Sequence, residues 1–211
     1  NERKQAQGGY PLAEDQKKAA AYALENPRLV SSIIGPAGTG KTTTMKAVAE
    51  AWQARYGAGS VLGLATSHKA VEELRNSIGC DSKTIAMLMA LNDPERIKAE
   101  IQQEGRLQQQ LRNASNPLER LLARINITAN HVTDSSNTIK PNQLIIVDEA
   151  GMVDSRNLQW ITRLAEMRGA KVLLTGDPKQ LDSVSGAGGM LGYADRHDQC
   201  ARLSSIWRFT A

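Results

Sequence analysis

A glycine-rich run between a strand-like and a helix-like segment constrains the fold of this chain more than any other feature. Residues 29–34 form a short apolar run, which is typical of a buried strand. The next eight residues match the pattern G-x-x-x-x-G-K-[ST] at every required position, and residues 41–56 then read as a helix. This order predicts a loop whose backbone N–H groups surround phosphate oxygens at the N-terminus of a helix.

The side chains of this loop predict binding of a nucleotide with its metal ion. Lys41 is expected to reach the β- and γ-phosphates, and the hydroxyl of Thr42 is expected to coordinate Mg²⁺. The base-reading motif Asn-Lys-x-Asp of GTPases is absent, which argues against a GTPase. The residues predicted to contact the nucleotide are Gly35, Pro36, Ala37, Gly38, Thr39, Gly40, Lys41, Thr42 and Thr43.

A second apolar strand, residues 144–147, ends in two carboxylates, Asp148 and Glu149. In phosphate-loop enzymes the first acid holds Mg²⁺ and the second orients or deprotonates the attacking water. The alternative is an acidic helix cap, because Asp and Glu also suit a helix N-terminus. With the glycine-rich loop upstream, the pair predicts nucleotide hydrolysis.

Strand and helix patterns alternate along most of the chain. This alternation predicts an α/β fold with a mostly parallel sheet and helices on both faces. Beyond the segments already named, we expect strands at 61–65, 171–175 and near Arg202, and helices at 12–24, 68–78, 84–91 and 155–167.

Two stretches depart from this alternation. Residues 1–10 are polar and are expected to be frayed. Residues 92–143 are rich in Gln, Glu and Arg, and they predict an amphipathic helical hairpin broken at Gly105 and at Asn116-Pro117, then a polar loop from 126. We interpret 92–143 as an insertion into one ATPase domain, residues 11–211.

Composition excludes several other classes of protein. The net charge of +4 is compatible with nucleic acid, but three Trp, four Tyr and one Phe are too few for a module that stacks many bases on aromatic rings. Two cysteines argue against a disulfide or metal framework. No apolar run approaches the ~18–20 residues of a membrane helix, so we expect a cytoplasmic protein without a membrane partner.

A third motif, Gly-Asp-Pro-Lys-Gln-Leu at residues 176–181, follows the strand at 171–175. Alone it is a turn; together with the phosphate loop and Asp148-Glu149 it resembles superfamily 1 DNA helicases. The RecD-like branch is the most similar, in particular the helicase part of conjugative relaxase-helicases of the TraI or MobF type. The resemblance implies a RecA-like domain in which Gln16 recognises adenine, while Gln180 and Arg208 contact the γ-phosphate.

The same resemblance implies contacts with single-stranded DNA. Ser67 and Lys69 lie in a stretch, 64–70, that looks like a DNA-gripping motif, and Thr84 resembles part of the next one. His68 lies in that stretch too, although a helix-starting His is more often a solvated cap. Residues 92–143 stand where such helicases carry a small 1B subdomain, and a DNA-guiding role, a contact with another domain and a solvated hairpin all stay open.

The implied function is 5′-to-3′ movement on single-stranded DNA, driven by ATP, in bacterial conjugation. Such enzymes bind ATP between two RecA-like domains, and we expect this chain to be the first, with residues 202–211 beginning the second. We therefore expect the fragment to bind nucleotide but hydrolyse it poorly without that partner domain. The alternatives are an AAA+-type ATPase, a RecD-like repair ATPase, and a non-catalytic module that binds nucleotide or DNA.

Overall fold

A six-stranded parallel sheet organises the chain. The computed structural model describes residues 11–114, 116–122, 139–179 and 189–205. The strands are β1 (Val30–Ile34), β2 (Val61–Ala65), β3 (Asp81–Thr84), β4 (Leu144–Val147), β5 (Lys171–Gly176) and β6 (Ala201–Arg202). Their order in the sheet is β3-β2-β4-β5-β1-β6, and every pair is parallel.

Helices connect the strands. They are α1 (Glu14–Glu25), α2 (Lys41–Tyr56), α3 (His68–Ile78), α4 (Ile85–Leu91), α5 (Pro94–Asn113), α6 (Ser155–Arg168) and α7 (Gly189–Arg196), with a short 3₁₀ turn at Ala150–Met152. Local sequence explains where several begin and end. The side chains of Ser67 and Asp154 cap the starts of α3 and α6, and left-handed glycines at 79 and 169 end them.

Alternating residues of the buried strands form the core. Leu144 and Ile146 of β4 pack in one cluster with small and aliphatic residues of α1, α2 and α3, whereas Ile145 and Val147 are equally buried on the other side of the strand. Because side chains alternate across a strand, β4 is apolar throughout and covered on both faces. This arrangement confirms the predicted α/β class.

The structure differs from the sequence-based expectation in three elements. β3 is an additional strand that was not predicted, because its sequence, Asp-Ser-Lys-Thr, is polar. It is an edge strand, and it forms by pairing with β2 rather than by burying an apolar run. α7 was not expected either, because two glycines weaken its helical pattern. α5 continues through Gly105, since one glycine costs a helix only about 1 kcal/mol and its neighbours are good helix formers.

The chain divides into two compact units. The first consists of Asn1–Thr84 together with Ile139–Ala211, and the second is Ile85–Thr138. The second contains α4, α5 and the helical residues 117–122, where Leu118, Leu121 and Leu122 are more than half exposed. Residues 1–10, the expected loop at 126–138, Gln180 and Arg208 lie outside the described residues. Among the helices that are described, none is long and apolar enough to span a membrane.

Candidate nucleotide-binding site

Strand register brings three of the predicted segments to one edge of the sheet. Ile34 of β1 pairs with Gly176 of β5, and Val147 of β4 pairs with Leu174 of the same strand. The N–H of Gly35 donates to the Gly176 carbonyl at 3.1 Å. The glycine-rich loop and the two carboxylates therefore flank the end of β5 from either side.

The loop leads into a helix start that has no cap of its own. Gly40, the N-cap of α2, has φ of 80° and no side chain to accept a hydrogen bond, and the helical ladder begins with Thr44 N donating to Gly40 O at 3.0 Å. The N–H groups of Lys41, Thr42 and Thr43 precede that first bond and so lack an intrahelical acceptor. Such N–H groups, at the positive end of the helix dipole, suit a phosphate.

Lys41 and Thr39 fold the loop back on itself. The ammonium of Lys41 donates to the carbonyls of Gly35 at 2.8 Å and Pro36 at 3.1 Å. The hydroxyl of Thr39, which is fully buried, also donates to Pro36 O at 2.8 Å. The positive charge of Lys41 is thus held at the loop itself, where a bound phosphate would meet it.

Asp148 is oriented by a buried threonine. Its Oδ1 accepts hydrogen bonds from the Thr175 hydroxyl at 2.8 Å and from the Glu149 N–H at 2.9 Å. Within the described part of the chain, Oδ2 receives no hydrogen bond. A carboxylate with one oxygen fixed and the other open fits a Mg²⁺ site completed by water and nucleotide oxygens, and Thr42 is exposed in the first turn of α2.

Glu149 combines backbone strain with a perturbed carboxyl. Its φ of 47° is left-handed, an uncommon conformation for a residue other than glycine, and such strain concentrates at functional sites. Partial burial raises the pKa of Glu149, and the negative charges of Asp148 and Asp177 raise it further against the opposing effect of Lys41. A carboxyl with this raised pKa is suited to accepting a proton from water.

Gln16 lies behind the loop, 5% exposed. Its Nε2 donates to Thr39 O at 3.2 Å, and its Oε1 accepts the N–H of Ala13 at 3.0 Å. A Cβ built on Gly40 would lie 2.2 Å from Nε2, so the glycine is needed for this close approach. Gln16 therefore braces the loop from α1, and its expected contact with adenine stays a prediction.

The predicted DNA-contacting residues lie where β2 and β3 end, and these strands are the third and fourth from β1 in the sheet. Ser67 caps α3 by accepting the Ala70 N–H at 3.2 Å, and His68 is exposed. Lys69 is exposed as well and lies 3.9 Å from Glu73. Thr84 is only 7% exposed and offers little side-chain surface.

Thr175 is a candidate site residue that was not predicted from the sequence. It is fully buried at the end of β5, between the loop strand and the carboxylate strand, and it touches Asp148 directly. A signal was present, because a polar residue precedes Gly176-Asp177 at the end of an otherwise aliphatic strand.

Comparisons with known proteins agree with this geometry. The conjugal transfer protein TraA of Rhizobium radiobacter is 31% identical over 195 residues, which cover 92% of this chain and 14% of TraA. The multifunctional conjugation protein TraI of Escherichia coli (strain K12) is 27% identical over 176 residues, covering 82% of this chain and 8% of TraI. The chain therefore spans a small part of these relatives.

The crystal structure of the Pif1 helicase from Candida albicans shares the fold, with a TM-score of 0.54 and 19% identity over 95% of this chain and 41% of that one. These matches confirm the resemblance to a superfamily 1 RecA-like domain related to conjugative relaxase-helicases. A family model described as an AAA domain matches residues 11–211. The chain belongs to this AAA domain family.

Proposed function

We propose that the chain is the ATP-binding motor domain of a DNA helicase or translocase that acts in conjugative DNA transfer. The observation that carries the proposal is the collection of complementary groups at one edge of the sheet. These are an uncapped glycine loop with Lys41, the half-open carboxylate of Asp148, and the strained Glu149. The relatives named for conjugation support the biological setting, a bacterial cytoplasm.

In this proposal the loop N–H groups and Lys41 bind the β- and γ-phosphates of ATP. Thr42 and Asp148 hold Mg²⁺, which would neutralise charge on the phosphate oxygens. Glu149 orients a water molecule and accepts its proton. Gln16 recognises adenine, while Gln180 and Arg208 contact the γ-phosphate.

Single-stranded DNA is the proposed polymer partner, held by Ser67, His68, Lys69 and the segment at Thr84, with movement in the 5′-to-3′ direction. Hydrolysis requires groups from a second RecA-like domain, because an arginine supplied across such a cleft is worth 10³–10⁵ in rate. The 211-residue chain alone therefore binds Mg·ATP and hydrolyses it slowly.

Nucleotide binding by the chain is the first test. Titration calorimetry with Mg·ATPγS should show one site, and Lys41→Ala should abolish it. Lys46→Ala is the matched control, since Lys46 is an exposed lysine five residues further along α2. Equal affinities for the two variants would contradict the assignment of Lys41.

The second test is ATPase activity of the full-length parent with and without single-stranded DNA. Strong stimulation, lost in Glu149→Gln, supports the motor function. Turnover that DNA does not stimulate would instead favour another type of AAA ATPase, and unchanged turnover in Glu149→Gln would overturn the role of that residue.

A further inference from the structure

The first turn of α1 holds two distant parts of the chain through adjacent side chains. Gln16 contacts the glycine-rich loop at Thr39. Its neighbour Asp15 turns to the segment that follows β6, where Oδ2 accepts the N–H groups of Ser204 at 3.0 Å and Ser205 at 2.9 Å. The other oxygen, Oδ1, accepts the N–H of Gln16 itself at 2.9 Å.

The segment held by Asp15, residues 203–205, supports the loop from a second side. Leu203 is 2% exposed, and its N–H donates to Ile34 O at 2.8 Å, immediately before the loop. A Cβ built on Gly35 would lie 2.9 Å from the Leu203 Cβ and 3.0 Å from the Leu203 carbonyl oxygen. The loop is therefore enclosed by Leu203 at its first residue and by Gln16 at its last glycine.

We infer that Asp15 is a positioning residue that holds segment 203–205 against the phosphate loop, so that nucleotide binding and the order of this segment are coupled. The inference rests on the proposed function, since it requires the loop to bind nucleotide. Movement of the loop at Gly35 displaces Leu203 because no space separates them, and Asp15 fixes the next two residues to the helix that also carries Gln16. Neither Asp15 nor segment 203–205 belongs to the residues proposed to bind the phosphates.

The state of the Asp15 carboxyl agrees with this role. Partial burial alone would raise its pKa, but the N–H groups of Ser205 and Ser204 outweigh that effect and hold the pKa of Asp15 below its usual range. The group is thus a carboxylate at neutral pH, the form that accepts charge-assisted hydrogen bonds. Its neighbour Glu14 is different: it is exposed and pairs with Lys17 at 2.6 Å within the same helix.

Amide hydrogen exchange with and without nucleotide measures the coupling. In the wild-type chain, saturating Mg·ATPγS should slow exchange at Ser204 and Ser205 by about fivefold or more, since coupling between sites is reciprocal. Asp15→Ala should remove this response and weaken Mg·ATPγS binding by about five- to tenfold. Asp15→Asn, which keeps the shape and one acceptor oxygen, should restore part of both effects. Glu14→Gln should leave both unchanged.

The outcomes separate this inference from the proposed function. Wild-type chain that fails to bind Mg·ATPγS overturns both. Wild-type chain that binds it, with exchange at Ser204 and Ser205 unaffected, overturns the coupling alone. So does Asp15→Ala with wild-type affinity, which would make the contact purely structural. If Asp15→Ala does not fold, the same comparison is read from Asp15→Asn, where wild-type affinity and response would also overturn the role.

Discussion

Replacing Gly40 by alanine tests the packing of Gln16 behind the phosphate loop. The substitution has two effects on the folded chain. It puts a Cβ on a residue with φ of 80°, and it places that Cβ 2.2 Å from the Nε2 of Gln16. Gly59 provides a matched control, because its φ is 79° and nothing lies within 4 Å of the corresponding Cβ.

The expected magnitudes follow from these contacts. Left-handed strain should destabilise both variants by about 1–2 kcal/mol. At Gly40 the Gln16 side chain must also move and lose its bonds to Thr39 O and from the Ala13 N–H, each worth about 0.5–1.5 kcal/mol. Gly40→Ala should therefore cost about 1–3 kcal/mol more free energy of unfolding than Gly59→Ala.

Urea denaturation, followed by circular dichroism and tryptophan fluorescence, gives these free energies when the slope with denaturant is unchanged. A double-mutant cycle then isolates the contact. In a Gln16→Ala background the clash is absent, so Gly40→Ala should cost only the strain that Gly59→Ala reports. Nucleotide titration of the same proteins should show weaker binding for Gly40→Ala and unchanged binding for Gly59→Ala.

Two results would refute this reasoning. Equal destabilisation by Gly40→Ala and Gly59→Ala would mean that Gln16 moves without cost. Simple additivity of Gln16→Ala and Gly40→Ala would mean that the two residues are not in energetic contact.

Three further substitutions test other contacts of the same unit. Ser31→Ala should raise the free energy of unfolding by about 1 kcal/mol in thermal or urea melts, because the fully buried Ser31 hydroxyl has no partner among the described residues; a loss of stability would contradict this. Thr175→Val should weaken Mg²⁺-dependent nucleotide binding about tenfold by releasing Asp148, an effect that Thr175→Ser should reverse and that titration in EDTA should not show. Because burial and the neighbouring carboxylates raise the pKa of Glu149, ionising it costs folding free energy as pH rises through the unfolded value of ~4.3. Glu149→Gln should therefore stabilise the chain at pH 7 but not below pH ~4 in urea melts, and an equal effect at both pH values would be inconsistent with this.

Apolar strands and capped helices could be predicted from the sequence because their signals are local. β4 is four consecutive aliphatic residues, and α3 begins and ends at the capping serine and the left-handed glycine that its sequence shows. The glycine-rich loop and Asp148-Glu149 could also be predicted as site residues, since each motif is a run of contiguous residues.

The remaining features depend on pairs of residues far apart in the chain. β3 forms because it pairs with β2, and the sequence Asp-Ser-Lys-Thr alone does not predict that pairing. The role of Asp15 requires residues 204 and 205 to come back to α1, and the role of Thr175 requires β5 to lie beside β4. Such contacts are consequences of strand order, which local periodicity does not encode.

Because all strands of the sheet are parallel, the residues of the proposed nucleotide site lie at the carboxyl ends of the strands, and the turns at the amino ends carry none of them. The turns that lead back into β2 and β5 contain Gly57, Gly59 and Gly169, all with positive φ and open space around them. These turns lie at the opposite ends of the strands from Lys41 and Asp148. A fluorescent label or short tag inserted at these turns would lie away from the proposed nucleotide-binding site, so they are suitable positions for labelling the protein.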